Sequence, residues 1–218
     1  MIVLIDRDIV EEHNLQRQAM FTEEDIGKAK ADAAASHLKK INSLIKVEAN
    51  IADLDYKNVD LLKSDLVLDC TDNMSTRFLI NEFCVKEKIP WVYTAVIGSA
   101  GMMLNFVPKR NVCFRCIFEE VSGLDTCETQ GILNTTPHAL AAIQVTEAIK
   151  MLTHQPNEKD MVHFDLWNLK LSKVKVKHNP DCPVCSGKHE YLDGKSYDIV
   201  RLCGSGNYQL KMKVPYYS

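Results

Sequence analysis

The sequence predicts an α/β fold, a sheet flanked by helices and finished by a mixed edge. Two observations predict it. Short apolar strands alternate with helix-patterned segments through the first half of the chain, and strands then follow one another directly. A third observation, two CxxC pairs far apart in sequence, predicts that a bound metal staples a late segment onto the middle of the chain.

Residues 2 to 5 are a continuous apolar run closed by Asp6, the pattern of a buried strand. Phe21-Thr22-Glu23-Glu24-Asp25 reads as a helix start capped by Thr22, and Gly27 ends that turn. Residues 28 to 41, rich in Ala and Lys, form the next helix. Residues 46 to 51 alternate like a strand, and residues 66 to 70 read as another buried strand. A helix follows from Asp72, near its N-terminus, to about Lys86. Residues 91 to 96 and 102 to 107 are strands, the second pairing with a neighbour. Thr136-Pro137 opens a strong helix through Leu152, with Pro at its first position. Residues 161 to 166 and 171 to 176 resemble a final hairpin. The connection from about Glu119 to Asn134 is long and carries Cys127, which makes it a candidate functional loop.

The chain's 218 residues suffice for one domain with a sizeable core plus an appendage. Its net charge of −3, with acids and bases mixed, gives no basic field for nucleic acid. No apolar run reaches membrane-spanning length, and Ile2 to Asp6 is too short and too acidic for a signal peptide. A cytoplasmic location follows, where the eight cysteines stay reduced. Four of them form the two pairs, Cys113 with Cys116 and Cys182 with Cys185. Two such knuckles make a closed tetrahedral zinc site, structural because no position is left for water; the alternative is a redox CxxC or two unrelated pairs. Cys70 and Cys84 read as small apolar core residues.

Candidate chemistry clusters at strand ends. Asp6 closes the first strand, where an acid can accept hydrogen bonds from ribose hydroxyls or simply serve the turn. Asn14 and Arg17 follow soon after, and an Arg there has the donor fork that clamps phosphate. Lys30 stands near a helix start, where a solvated surface lysine is the alternative. Asp69-Cys70-Thr71-Asp72-Asn73 marks the passage from a buried strand to a helix. An Asp at that place can hold magnesium or cap the helix. Arg77, five residues after Asp72, is placed to tie this loop to the sheet.

Taken jointly, these motifs resemble the ThiF/MoeB/HesA family of adenylyltransferases, relatives of ubiquitin-activating enzymes. The resemblance rests on Leu4-Ile5-Asp6-Arg7-Asp8, Asn14 to Gln18, Gly27-Lys28-Ala29-Lys30 and Leu68 to Asn73. It continues through Cys113 to Cys116, Thr126 to Gly131, Gln144 to Lys150 and Asp181 to Cys185. It spans about residues 2 to 186, which implies a Rossmann-like adenylation domain over 1–186, with helices on both faces, and a tail of unknown role over 187–218.

The resemblance implies ATP-dependent adenylation of the C-terminal carboxylate of a small ubiquitin-like or sulfur-carrier protein. Asp6 would bind ribose, and Asn14 and Arg17 would contact ATP. Lys30 would neutralise phosphate charge, and Asp72 would hold magnesium with Asn73 beside the nucleotide. The four CxxC cysteines match the family's zinc ligands. Members of the family differ at the loop cysteine, so Cys127 would either take the acyl group or be a spare loop cysteine. The family also implies a homodimer and, for some members, a separate sulfur donor protein. The family's first strand and glycine-rich phosphate loop precede the strand that ends in Asp6, and this chain starts at that second strand. The chain is then either a fragment of a longer protein or a degenerate member of the family; the fragment is the expectation, because the later site residues remain. The competing function is a non-catalytic, zinc-stapled binding partner that lacks independent ATP binding.

Overall fold

A computed structural model of the chain describes residues 1–110, 112–119, 131–195, 199–201 and 208–210. The chain divides into two compact units, Met1–Leu61 and Leu62–Ser218.

In the first unit β1 (Ile2–Ile5) and β2 (Val47–Asn50) form a parallel pair, with Ile2 opposite Val47 and Ile5 opposite Asn50. The crossover between them contains α1 (Lys30–Ile41), as a parallel connection requires. Its alanines Ala31, Ala33 and Ala35 are buried, and their small side chains let the helix pack closely. Lys39 and Lys40 in the last turn complement the helix dipole. Two expectations change here. β1 is only partly buried, with Ile2 exposed, because it pairs along one edge with one strand of its unit. The segment capped by Thr22 makes a single 3₁₀ turn, Glu23–Asp25, and Gly27 ends it at φ +86°, a conformation that suits glycine.

The second unit carries a five-stranded mixed sheet. Its strands are β3 (Val67–Leu68), β4 (Trp91–Ile97), β5 (Ala100–Phe106), β6 (Met161–Asp165) and β7 (Lys170–Val174), in that order. β3 and β4 are parallel, and every later pair is antiparallel. The parallel pair encloses α2 (Met74–Glu87), and α3 (Thr135–Leu152) stands between β5 and β6. A short antiparallel pair, β8 (Ile199–Arg201) with β9 (Tyr208–Leu210), lies late in the chain.

Alternation along β4 places different cores on the two faces of the sheet. Val92 joins Met103, Val162 and Phe164 against Leu140 of α3. Trp91 and Tyr93 point the other way, into an aromatic cluster with Phe106, Phe114 and Phe118. Phe78 of α2 meets Phe114 edge to face in that cluster. Helices therefore cover both faces of β4, and each fully buried aromatic contributes about 2–3 kcal/mol. Gly101 lies opposite Phe164, and a Cβ there would sit 2.5 Å from the phenyl ring. Only glycine fits that close approach.

Residues 77 to 84 of α2 are all buried, so this helix lacks a solvent face over two turns. Its three polar members each hold a different segment. Arg77 pairs with Asp69 at 3.0 Å, and Asn81 Oδ1 accepts from Phe114 N at 2.8 Å. Glu82 accepts from the backbone N–H groups of Tyr191 and Leu192 at 2.8 and 3.0 Å. Burial raises the Glu82 pKa, and those two N–H groups oppose the shift.

Three further expectations are corrected. The strand over 66 to 70 is only two residues long, and Leu68 is exposed. Cys70 is exposed because the chain has turned out of the sheet by that point, whereas Cys84 is buried as expected. Pro137 is the third residue of α3, since Thr135 opens the helix. It still lies in the first turn, where a missing N–H is tolerated.

Candidate functional site

In the first unit, backbone pairing brings the helix start to the end of β1. Val10 N donates to Lys28 O, Lys30 N donates to Asp8 O, and Ile9 bridges Ala29. Lys30 is thereby the first residue of α1 and lies beside the segment that leaves β1. Its Nζ donates to Asp8 Oδ2 at 3.2 Å, and its side chain is 12% exposed. Asp8 N donates to Asp6 Oδ1 at 2.9 Å. The structure thus joins Asp6 and Lys30 through Asp8. Asn14 is buried, and its Oδ1 accepts from Glu11 N at 3.2 Å, a local structural bond. Arg17, half-buried, donates from Nη1 to His13 O at 3.0 Å. A neighbouring hollow in this unit holds Asp25 against His37 at 2.8 Å. The Thr22 N–H, His37 and Lys28 together hold the Asp25 carboxyl far below its usual range.

In the second unit, the loop between β3 and α2 follows the carboxyl end of a parallel strand, the place where α/β sheets bind ligands. A buried network braces it. Asp69 is fully buried, and its Oδ1 accepts from Thr71 N at 2.8 Å and from Thr71 Oγ1 at 2.7 Å. Its Oδ2 accepts from Arg77 Nε at 3.0 Å. Arg77 Nη2 also donates to the carbonyls of Thr71 and Thr94. Thr94 Oγ1 and Gln144 Nε2 both donate to Asp69 O at 2.9 Å. Burial works against the charge of Arg77, but the Asp69 carboxylate beside it raises its pKa overall. Two members of the loop remain outward. Asp72 is exposed, and Asn73 caps α2 by accepting from Thr76 N at 2.8 Å. A solvent-facing carboxylate at this position is a hard oxygen donor, the kind that suits magnesium. An open cavity of about 570 Å³ lies at the carboxyl end of β4, lined by Ala95, Ile97, Gly98, Ser99, Met102 and His163.

The four CxxC cysteines converge. Cys113 Sγ lies 3.8 Å from Cys116 Sγ and 3.6 Å from those of Cys182 and Cys185, and Cys116 lies 3.6 Å from Cys185. A tetrahedron with Zn–S bonds of about 2.3 Å has edges of about 3.75 Å, so the set fits zinc without rearrangement. Burial pushes the Cys113 thiol well above its ordinary pKa, and the neighbouring thiols add to it. Four thiolates this close need a cation to share their charge. Val184 and Val85 pack against the buried half of the group.

Sequence reading missed the linking role of Asp8 and the buried part that Asp69, Thr94 and Gln144 play behind the loop. The signal for Asp69 was an acid inside an otherwise apolar strand with an Arg one helical turn into the next element. Cys127 lies outside the described residues.

A family model described as the ThiF family matches residues 1–184. The sulfur carrier protein ThiS adenylyltransferase of Bacillus subtilis is 35% identical over 98% of this chain and 66% of its own length. The SAMP-activating enzyme E1 of Haloferax volcanii is 37% identical over 93% of this chain and 77% of its own. The molybdopterin-synthase adenylyltransferase of Salmonella typhimurium is 33% identical over 84% of this chain and 76% of its own. Among solved structures, E. coli MccB with ATP superposes with a TM-score of 0.75 at 22% identity, covering 84% of this chain and 58% of that one. That likeness extends the fold to a known Rossmann-like architecture. Among the described residues, no helix is long and apolar enough to cross a membrane.

Proposed function

The chain belongs to the ThiF family, and from that membership we propose that it adenylates the C-terminal carboxylate of a small ubiquitin-like or sulfur-carrier protein. One observation carries the reading. Over more than nine tenths of its length the chain is similar to proteins named as an adenylyltransferase and an activating enzyme E1. Such relatives weigh against the binding-only alternative. Residues 1–186 act as the adenylation domain and 187–218 as its appendage.

In the reaction, a carrier carboxylate oxygen attacks the α-phosphorus of ATP, the bond to the bridging oxygen breaks, and pyrophosphate leaves. Negative charge grows on the phosphate oxygens, so fixed cations lower the barrier. Lys30 has the means to do this, since its stem is largely buried and its ammonium is oriented by Asp8. Arg17 adds a second fork of donors. Asp6 accepts hydrogen bonds from ribose, and Asn14 and Asn73 contact the nucleotide. Asp72 would hold magnesium, which would neutralise phosphate charge during the transfer. Asp69 and Arg77 keep the Asp72 loop in place without touching the nucleotide.

In a second half-reaction, the Cys127 thiolate attacks the acyl carbon of the adenylate. The C–O bond to phosphate breaks, AMP leaves and a thioester forms. The protein works as a homodimer in the cytoplasm and passes activated carrier to a sulfur donor protein where its pathway needs one.

Pyrophosphate exchange by the full-length protein, measured with purified carriers, tests the reading. Exchange should require carrier and magnesium. Asp72→Ala should abolish it, and Lys30→Ala and Arg17→Ala should each lower it on the order of a hundredfold. Unchanged exchange in all three variants would refute the assignment.

A further inference from the structure

The zinc centre has two unlike halves. Cys113 and Cys182 are buried, at 3% and 0% exposure, while Cys116 is half-buried and Cys185 is exposed. Four thiolates around Zn²⁺ leave a net charge of about −2, concentrated on sulfur. On the buried side, Val184 and Val85 exclude water from these sulfurs. On the open side that protection is missing, and water, protons and competing metals reach the thiolates. Donors that take charge off sulfur are what such an edge lacks.

The chain supplies one. His178 Nδ1 lies 3.6 Å from Cys116 Sγ, within hydrogen-bonding range for sulfur. His178 is exposed, and the backbone that follows it is held by local bonds. Asn179 Oδ1 accepts from Asp181 N at 2.9 Å, and Asn179 O accepts from Cys182 N at 3.1 Å. That tight turn runs directly into the second knuckle, so His178 enters on the same rigid segment as two of the ligands. The four cysteines already close the tetrahedron, so the imidazole stands outside it.

We propose that His178 is a positioning residue of the metal centre. Its Nδ1–H donates to the Cys116 thiolate and slows loss of zinc from the exposed half of the site. Both the neutral Nδ1–H tautomer and the imidazolium can make this bond. Partners of this kind around a metal site typically change affinity by 10–100-fold. The inference concerns the metal centre and holds whether or not the protein is an adenylyltransferase.

The test compares full-length wild type with His178→Ala and His178→Asn, whose amide Nδ2 sits at the same place along the side chain as Nδ1. Zinc transfer to a chromogenic chelator should be about tenfold faster for His178→Ala and restored close to wild type by His178→Asn. In cobalt-substituted protein, the sulfur-to-metal charge-transfer band should move to longer wavelength in the Ala variant, because an unbonded thiolate is easier to oxidise. The ligand-field bands should keep a four-sulfur pattern in all three proteins. Equal transfer rates in wild type and His178→Ala would overturn the proposal. So would ligand-field bands that change on removing the imidazole, since His178 would then be a ligand rather than an outer donor.

Discussion

Arg77→Met removes a buried charge while keeping most of the side chain's volume. Arg77 is 9% exposed and its partner Asp69 is fully buried, with 3.0 Å between them. Losing one member of a buried pair costs about 3–5 kcal/mol, because the survivor is left charged without water. Here Thr71 still donates twice to Asp69 Oδ1, which keeps the loss near the lower end of that range. The carbonyls of Thr71 and Thr94 also lose their donor, adding roughly 1 kcal/mol. The sum is about 4 kcal/mol, which for a chain of this size lowers Tm by on the order of 10 °C. Circular dichroism melts in excess zinc, at pH 7, would measure it. The double variant Arg77→Met with Asp69→Asn removes both charges, and it should lose at least 1–2 kcal/mol less than the two single losses added together. A fall in Tm under about 2 °C, or strictly additive losses, would refute the claim that this pair holds the loop.

Other outcomes follow from local geometry. Gly101→Ala should destabilise the protein by about 1–3 kcal/mol, because its Cβ would meet the Phe164 ring at 2.5 Å; adding Phe164→Leu should restore part of the loss in a denaturant melt. Glu158 has its pKa lowered to about 2, chiefly by the Lys173 ammonium and then by the Asp160 N–H. A depressed carboxyl stabilises the fold above its unfolded pKa of about 4.5, and the contribution disappears as pH falls toward 2. The stability gap between wild type and Glu158→Gln should therefore be constant at neutral pH and shrink below pH 4.5; a gap that widens in acid would contradict this. Cys127→Ala should leave pyrophosphate exchange nearly unchanged and eliminate a thiol-sensitive carrier adduct on a non-reducing gel. If the wild type makes adenylate but never that adduct, the acyl-transfer step fails.

Much of this protein can be read from its residues in order. Apolar runs of strand length, the Ala-rich segment of α1 and the Pro near the start of α3 report on local backbone preference, which acts within a few residues. The two CxxC pairs are also local signals, since each knuckle is complete in four residues. That 113–116 meets 182–185 was an expectation from the metal reading, and only the structure brings the four sulfurs together. What lay beyond the sequence was decided by packing over long separations. That Asp69 turns inward depends on Arg77, Thr94 and Gln144 arriving from three other elements. The shortness of β3 and the exposure of Cys70 follow from that inward turn. Lys30 became more than a surface lysine once the backbone pairing of 8–10 with 27–30 set it against Asp8. A one-dimensional pattern records which side chains are apolar and at what period. It does not record which buried charge will find its partner, because that depends on where distant segments meet in three dimensions.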